Sequence, residues 1–132
     1  MNRIFIITLS ALLLLSCAHG KTDTFPTQEN PEANAHVYVI RDSNFLGWGV
    51  SLKVVLDDSV IAGLRSGEYI SFFVAPGFHT LGVSKSTVKV PLEKENTYYF
   101  LISADYSQFG FELHRISAQQ AQKWLAKTKP IE

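Results

Sequence analysis

Residues 68–79 read Glu-Tyr-Ile-Ser-Phe-Phe-Val-Ala-Pro-Gly-Phe-His, an apolar and aromatic run that ends at a proline and a glycine. A nearly continuous apolar run of this kind predicts a central β-strand that is covered on both faces. Pro76 and Gly77 suit the two central positions of a type II turn, because proline sets the first φ and glycine accepts the positive second φ. Residues 78–83 then return as a second strand.

Similar short runs lie on both sides of these two strands. Residues 50–56 alternate apolar and polar side chains, which is typical of a half-buried strand, and an Asp-Asp-Ser turn follows at residues 57–59. Pro91 cannot donate a ladder hydrogen bond, so the strand at residues 87–92 is predicted to lie on an edge or to end at Pro91. The other strand-like runs are residues 36–40, 60–64, 97–103 and 109–116. About eight short strands without intervening helices predict a mainly β, antiparallel β-sandwich.

The end of the chain follows a helical pattern instead. Ser117 and Gln120 have the spacing of a capping box, and Ile116 and Ala121 are placed for a hydrophobic staple. The apolar residues that share one helical face are Ala118, Ala121, Trp124 and Leu125. We therefore expect a short C-terminal α-helix that packs on the sandwich through Trp124.

The first residues carry an export signal. Arg3 supplies a positive start, and residues 4–15 are apolar except for Thr8 and Ser10. A helix of twelve residues is shorter than a bilayer core of about 30 Å, so the run predicts a cleaved signal and not a permanent span.

The tetrapeptide Leu-Leu-Ser-Cys at residues 14–17 resembles a bacterial lipobox. The resemblance implies cleavage after Ser16 and a diacylglyceryl group on the sulfur of Cys17, often followed by acylation of the new amine. Two or more acyl chains anchor a protein stably. The signal therefore predicts a lipid-anchored envelope protein. Ala18 follows the cysteine where inner-membrane retention typically uses aspartate, which favours the outer membrane over the inner.

Three regions follow from this reading: a signal peptide at residues 1–16, a lipidated cysteine and flexible tether at 17–34, and a β-sandwich domain at 35–132. The tether is polar and contains Pro26 and Pro31. With one cysteine in the chain, a disulfide is excluded once Cys17 is acylated. Twelve basic residues balance twelve acidic ones, which indicates neither nucleic-acid binding nor an electrostatic membrane anchor.

The order of motifs in residues 35–116 resembles the small bacterial lipoproteins of domain of unknown function family 2846. The matching residues are Val-Tyr-Val-Ile-Arg ending at Arg41, Val-Val-Leu-Asp-Asp ending at Asp58, Gly63-Leu64, Gly67-Glu-Tyr69 and Pro76-Gly77-Phe-His79. The central part also looks like PEGA-type surface domains. This resemblance implies an immunoglobulin-like sandwich on a lipid anchor, and it supplies no catalytic residue, since the family has no established activity.

Histidines are the first candidates for chemistry. His79 follows the Pro-Gly turn and shares a strand face with Leu81, so we interpret it as a partly buried imidazole bonded to a backbone carbonyl. A metal site would need His36, His79 and His114 to converge in space, because none of them has ligand-like local spacing. The sequence predicts no cofactor and no metal.

Serine and charged motifs are equally weak evidence of catalysis. Ser86 and Lys89 match the S-x-x-K pattern, but they lie in a predicted strand and not at the start of a helix, so the match is coincidental. Arg41 and Asp42 are interpreted as a surface ion pair or the entry to a turn. No catalytic residue is predicted.

Aromatic loops are better candidates for binding. Phe45 and Trp48 lie beside glycines, and Tyr106 lies in a second polar loop. Such residues mark recognition sites or cap the core. The function expected is a non-catalytic envelope lipoprotein that contacts a protein or a cell-wall component. The alternatives are a small-ligand or glycan module centred on Trp48 and a small metal- or histidine-dependent enzyme.

Overall fold

The computed structural model describes residues 30–43 and 49–131. Within them the chain forms nine strands and one helix. In chain order these are β1 (Ala35–Arg41), β2 (Leu52–Leu56), β3 (Ser59–Leu64), β4 (Glu68–Val74), β5 (Gly77–Val83), β6 (Ser86–Leu92), β7 (Thr97–Asp105), β8 (Gly110–Ile116), α1 (Ala118–Leu125) and β9 (Lys129–Pro130).

The strands form two sheets with a shared core. One sheet has the order β8-β7-β1-β4-β9, and the other has the order β3-β2-β5-β6. Side chains from both sheets, including Val39, Phe100 and Leu81, belong to one buried apolar cluster. The predicted mainly β sandwich with a C-terminal helix is confirmed. Two strand pairs, β1 with β7 and β4 with β9, are parallel, and the rest are antiparallel.

Strand β4 differs from the prediction of a central strand covered on both faces. The middle of its sheet is β1, and β4 pairs on its other side only with the two residues of β9. Ile70, Phe72 and Val74 point into the core, whereas Ser71 is exposed on the opposite face. The apolar run is continuous because the outer face also carries aromatic rings, which are covered by single side chains and not by another sheet.

One such ring is Phe73, which stacks on His36 of β1 with ring centroids 4.2 Å apart. Gly77 has a positive φ, +133°, which favours glycine as predicted, but it lies far from the φ of about +80° of a type II turn, and Gly77 is already the first residue of β5. Pro91 lies on β6, which is an edge strand as predicted.

Helix α1 covers part of the outer face of the five-stranded sheet. Ser117 Oγ accepts a hydrogen bond from the Gln120 backbone N–H, and the Gln120 side chain accepts one from the Ser117 backbone N–H. This capping box is the predicted one. Ala121 is fully buried with Ile40 and Leu101, and Trp124 packs against the same cluster. The predicted contact of the helix through Trp124 is confirmed.

The sandwich has two ends that are useful to name. The entry end is where β1 begins, and it also holds the turns at residues 57–58, 75–76 and 93–96. Residues 30–34 belong to it, because the Asn34 side chain is buried and its carbonyl accepts the Glu95 N–H. The distal end is where β1 finishes at Arg41, and it holds the connections at residues 65–67, 84–85 and 106–109. Of the described residues, no helix combines the length and hydropathy that crossing a bilayer requires.

Candidate functional site

Exposed apolar side chains concentrate at the distal end. Phe109 is 85% exposed, Tyr106 is 62% exposed and Val50 is 53% exposed. The other large hydrophobic residues exposed in the described part of the chain are Val60 and Phe78. Aromatic side chains at loop tips are candidates for recognition, because folding gains little from placing them in water.

The β7–β8 loop that carries these aromatic residues is locally ordered. Asp105 pairs with Gly110 at the base of the loop. Asp105 Oδ1 accepts hydrogen bonds from the Ser107 hydroxyl at 2.6 Å and from the Ser107 backbone N–H at 3.0 Å. The pKa of Asp105 lies below its usual range, chiefly because the Ser107 hydroxyl donates to the carboxylate. The slight burial of the carboxyl opposes this effect, and the backbone N–H groups of Ser107 and Gln108 lower the pKa further. The loop tip is thus held by its first residues.

Phe109 closes this loop in an unfavourable backbone conformation. Its φ is +52°, in the left-handed region that glycine and asparagine prefer. A residue with a Cβ pays about 1 kcal/mol or more in this region. The side chain gains no compensating burial, since it is the most exposed large apolar group in the described chain. From sequence, Phe109 was both the last residue of the candidate loop at 104–109 and the first residue of a predicted strand, but its strained backbone and its exposure were not predicted.

Arg41 lies beneath the distal loops and corrects the prediction of a surface ion pair. Its side chain is only 1% exposed. Arg41 Nη1 donates to the carbonyls of Val50 and Leu64, both at 2.6 Å. Its guanidinium carbon lies 5.1 Å from the centroid of the Phe111 ring. The guanidinium is planar and has five N–H donors that point in different directions, so it can bond to carbonyls of two separate segments at once.

The position of Arg41 also affects its ionisation. Burial lowers the pKa of Arg41, while the carboxylates of Asp42 and Glu68 act in the opposite direction. The sequence pattern did not reveal the burial of Arg41, because Arg41 is the last residue of a strand whose other inward-facing residues are apolar. The guanidinium enters the core at the sheet end and donates to the carbonyls of Val50 and Leu64.

The structure places the predicted loop residues as follows. Tyr106 is exposed at the distal end, as a binding residue would be. Phe45 and Trp48 lie outside the described residues, as does Cys17. Val50, which follows that loop, is held at the distal end by its bond to Arg41.

His79 is at the opposite, entry end. Its Nε2 lies 2.6 Å from the Ala75 carbonyl oxygen, and its Nδ1 lies 2.5 Å from Asp57 Oδ2. Its side chain is 13% exposed. The interpretation of His79 as a partly buried imidazole on a backbone carbonyl is confirmed. Both partners are acceptors, so the two bonds exist together when each ring nitrogen carries a proton.

Asp57 joins this contact to the β2–β3 turn. Asp57 and Asp58 have φ values of +47° and +67°, which is typical of a tight type I′ hairpin turn. Burial alone would raise the pKa of Asp57. The Thr80 backbone N–H and the His79 imidazole outweigh that effect, so the pKa of Asp57 is lowered. Asp57 and His79 therefore act as a clamp between two turns.

We expect this clamp to make stability depend on pH. Because the folded-state pKa of Asp57 is lowered, its contribution is present above the ordinary aspartate pKa of about 4 and is lost as the pH falls through the lowered value. As the pH falls from about 5 to about 2, the wild type should lose more stability than the Asp57→Asn variant does. The difference between the two losses should be less than about 1 kcal/mol, because the Asp57 carboxyl is 48% exposed. Urea unfolding at each pH measures this, and equal losses would contradict it.

The other two histidines in the described part of the chain have separate surroundings. His36 stacks on Phe73, and burial lowers the pKa of its ring. His114 on β8 lies with its Nε2 2.6 Å from Ser103 Oγ on β7. Among the residues that the structure describes, no three histidine, cysteine or acidic side chains are grouped closely enough to hold a metal ion.

Ser103 and His114 belong to a cross-strand group that sequence reasoning missed. Glu112 pairs directly with Ser103, and its Oε2 lies 4.0 Å from His114 Nδ1. The order serine, histidine, carboxylate is that of a nucleophile with its base and an orienting acid. His114 and Glu112 are 44% and 57% exposed, so water screens the group on an open sheet face. We assign it no catalytic role.

The S-x-x-K pattern has a structural explanation. Ser86 and Lys89 both lie on β6, where residues three apart point to opposite faces. Ser86 Oγ accepts the backbone N–H of Leu113 at 3.0 Å, which links β6 to β8 across the two sheets. The serine is used to close one side of the sandwich, which agrees with the interpretation of the pattern as a coincidence.

Comparisons with known proteins add a fold likeness and nothing on activity. No protein-family model matches the sequence, and no curated protein matches it. The chain is similar to the N-terminal domain of AlgF from P. aeruginosa, with 17% sequence identity and a TM-score of 0.46. The match covers 67% of this chain and 100% of that domain. At this identity and score, the likeness carries no argument about function.

Proposed function

We propose that this chain is a lipid-anchored, non-catalytic interaction module of the bacterial envelope, and that it binds its partner through the distal end of the sandwich. The exposed, conformationally strained Phe109 is the observation that carries the binding part of the proposal. An unfavourable backbone conformation that presents an aromatic ring to water lowers stability, and binding is a reason to retain it.

The arrangement of the ends supports this choice of surface. The chain enters the domain at the entry end, so an anchor at Cys17 would hold that end towards the membrane. The loops with Tyr106 and Phe109 emerge at the other end of the strands. A surface in this position is accessible to another envelope component while the protein stays anchored.

The anchor itself rests on the sequence. The lipobox-like residues 14–17 and the polar stretch that follows support lipidation of Cys17, with the outer membrane favoured by Ala18. The resemblance to family 2846 lipoproteins is consistent with this proposal and remains a prediction.

Replacing Phe109 with glycine tests the binding part. Glycine adopts a φ of +52° without strain, so Phe109→Gly is expected to raise the free energy of unfolding by about 1 kcal/mol. The same change should reduce co-purification of bound envelope components from detergent extracts by at least about tenfold, since exposed aromatic anchors dominate such contacts. Urea unfolding and affinity purification of the full lipidated chain measure the two effects.

Phe78 offers a matched control, because it is 72% exposed but lies at the entry end. Phe78→Ser should leave co-purification unchanged. A Phe109→Gly protein that is stabilised and still retains its bound components would show that Phe109 is not part of the binding surface.

A further inference from the structure

We propose that the partner of the distal end is an anionic lipid surface, a bilayer rich in acidic headgroups. This inference rests on the proposed function, because it takes the distal loops as the binding surface. Two features that occur together at the distal end indicate this class of partner: exposed cations and exposed aromatic side chains at the loop tips.

Charge is distributed unequally between the two ends, although the whole chain is balanced. Apart from the buried Arg41, the cationic side chains at or beside the distal connections are exposed: Lys53, Arg65, Lys85, Lys127 and Lys129. Four acidic residues lie there: Asp42, Glu68, Asp105 and Glu112, of which Glu112 is 57% exposed. Composition alone indicated no electrostatic membrane contact, because averaging over the chain conceals this segregation.

The entry end carries the opposite sign. Its exposed acidic residues are Glu32, Asp57, Asp58, Glu93 and Glu95, and its exposed cations are Lys89, Lys94 and Arg115. An anionic surface therefore attracts the distal end and repels the entry end. Each lysine or arginine near an anionic membrane surface strengthens binding by about fivefold, so a few cations orient the domain.

The apolar tips supply the second half of the recognition. Tyr106 and Phe109 project from the β7–β8 loop, and Val50 is exposed nearby in the fold. Aromatic rings favour the headgroup region of a bilayer, where a flat apolar face and a polar tip are both accommodated. Cations beside such rings are the combination expected for interfacial attachment.

The geometry favours contact with a bilayer other than the one that holds the anchor. Strand β1 has seven residues and separates the two ends by about 20 Å. With the anchor at one end and the docking loops at the other, the domain would bridge two facing lipid surfaces.

A bridging assay tests the inference with the whole protein. The lipidated chain is reconstituted in immobilised phosphatidylcholine vesicles, and dye-loaded vesicles containing phosphatidylglycerol are added. We expect their capture, with little capture of pure phosphatidylcholine vesicles. Phe109→Ser and Lys85→Glu should each reduce capture by about fivefold or more, and high salt should also reduce it. Phe78→Ser should leave capture unchanged, and Lys94→Glu should not lower it.

Two results would overturn the inference. One is capture that does not depend on phosphatidylglycerol or that is equal for Phe109→Ser and Phe78→Ser. The other is no vesicle capture at all while a crosslinker at position 109 captures a protein in cells, which would leave the proposed function standing with a protein partner. Failure of both vesicle capture and crosslinking would reject the proposed function as well.

Discussion

Replacing Arg41 with alanine is expected to lower the free energy of unfolding by about 3 kcal/mol. The change leaves the buried Leu64 carbonyl without its donor, removes a second hydrogen bond to the Val50 carbonyl, and opens a void beside the Phe111 ring. Buried acceptors that lose a partner bear the full cost of desolvation, so the effect should be among the largest of any single substitution.

Urea unfolding of Arg41→Ala measures this loss. Arg65→Ala is the matched control, because Arg65 is an exposed arginine at the same end, and its loss should change stability by less than about 0.5 kcal/mol. Arg41→Lys should fall between the two, since lysine keeps the charge but cannot hold the forked geometry. If Arg41→Ala were as stable as Arg65→Ala, the buried role of the guanidinium would be wrong.

Replacing Cys17 with serine is expected to abolish lipid attachment. A serine hydroxyl cannot form the thioether, so neither acylation nor the cleavage that depends on it should occur. Cells fed an alkyne fatty acid should label the wild-type chain and leave Cys17→Ser unlabelled and unprocessed. Ser16→Ala is the control, because it keeps a small residue before the cleavage site and should be labelled normally. A labelled or normally processed Cys17→Ser protein would contradict the anchor.

Much of the strand pattern was accessible from sequence because it depends on local rules. Residues 57–59, Gly77 and Pro91 carry turn and edge signals that act through backbone geometry alone. Strands β1 to β8 were predicted within a few residues of their observed bounds, whereas the two-residue β9 was not predicted. The capping box at Ser117 and Gln120 was predicted for the same reason, since both partners lie within one helical turn.

Long-range pairing was less accessible. The parallel pairing of β1 with β7 joins segments about sixty residues apart, and no local pattern encodes it. The same limit applies to the outer face of β4, where Phe73 is covered by His36 from a neighbouring strand. An apolar run shows that side chains are covered, but it does not show what covers them.

The site was predicted in part. Aromatic residues in polar loops pointed to Tyr106, whose exposure fits that role. Two features remained hidden: the positive φ of Phe109, which depends on how the hairpin closes, and the burial of Arg41, which depends on carbonyls from two other segments. The segregation of charge between the ends was also hidden, because it appears only once the turns are assigned to ends.

The most direct test of the account is site-specific photocrosslinking in living cells from the anchored, full-length chain. A photoreactive phenylalanine is placed at position 109 in one strain and at position 78 in another, since both side chains are exposed and lie at opposite ends. We predict crosslinked products, to lipid or to protein, from position 109 and no matching products from position 78. Equal products from both positions, or products from position 78 alone, would contradict the claim that the distal end is the binding surface.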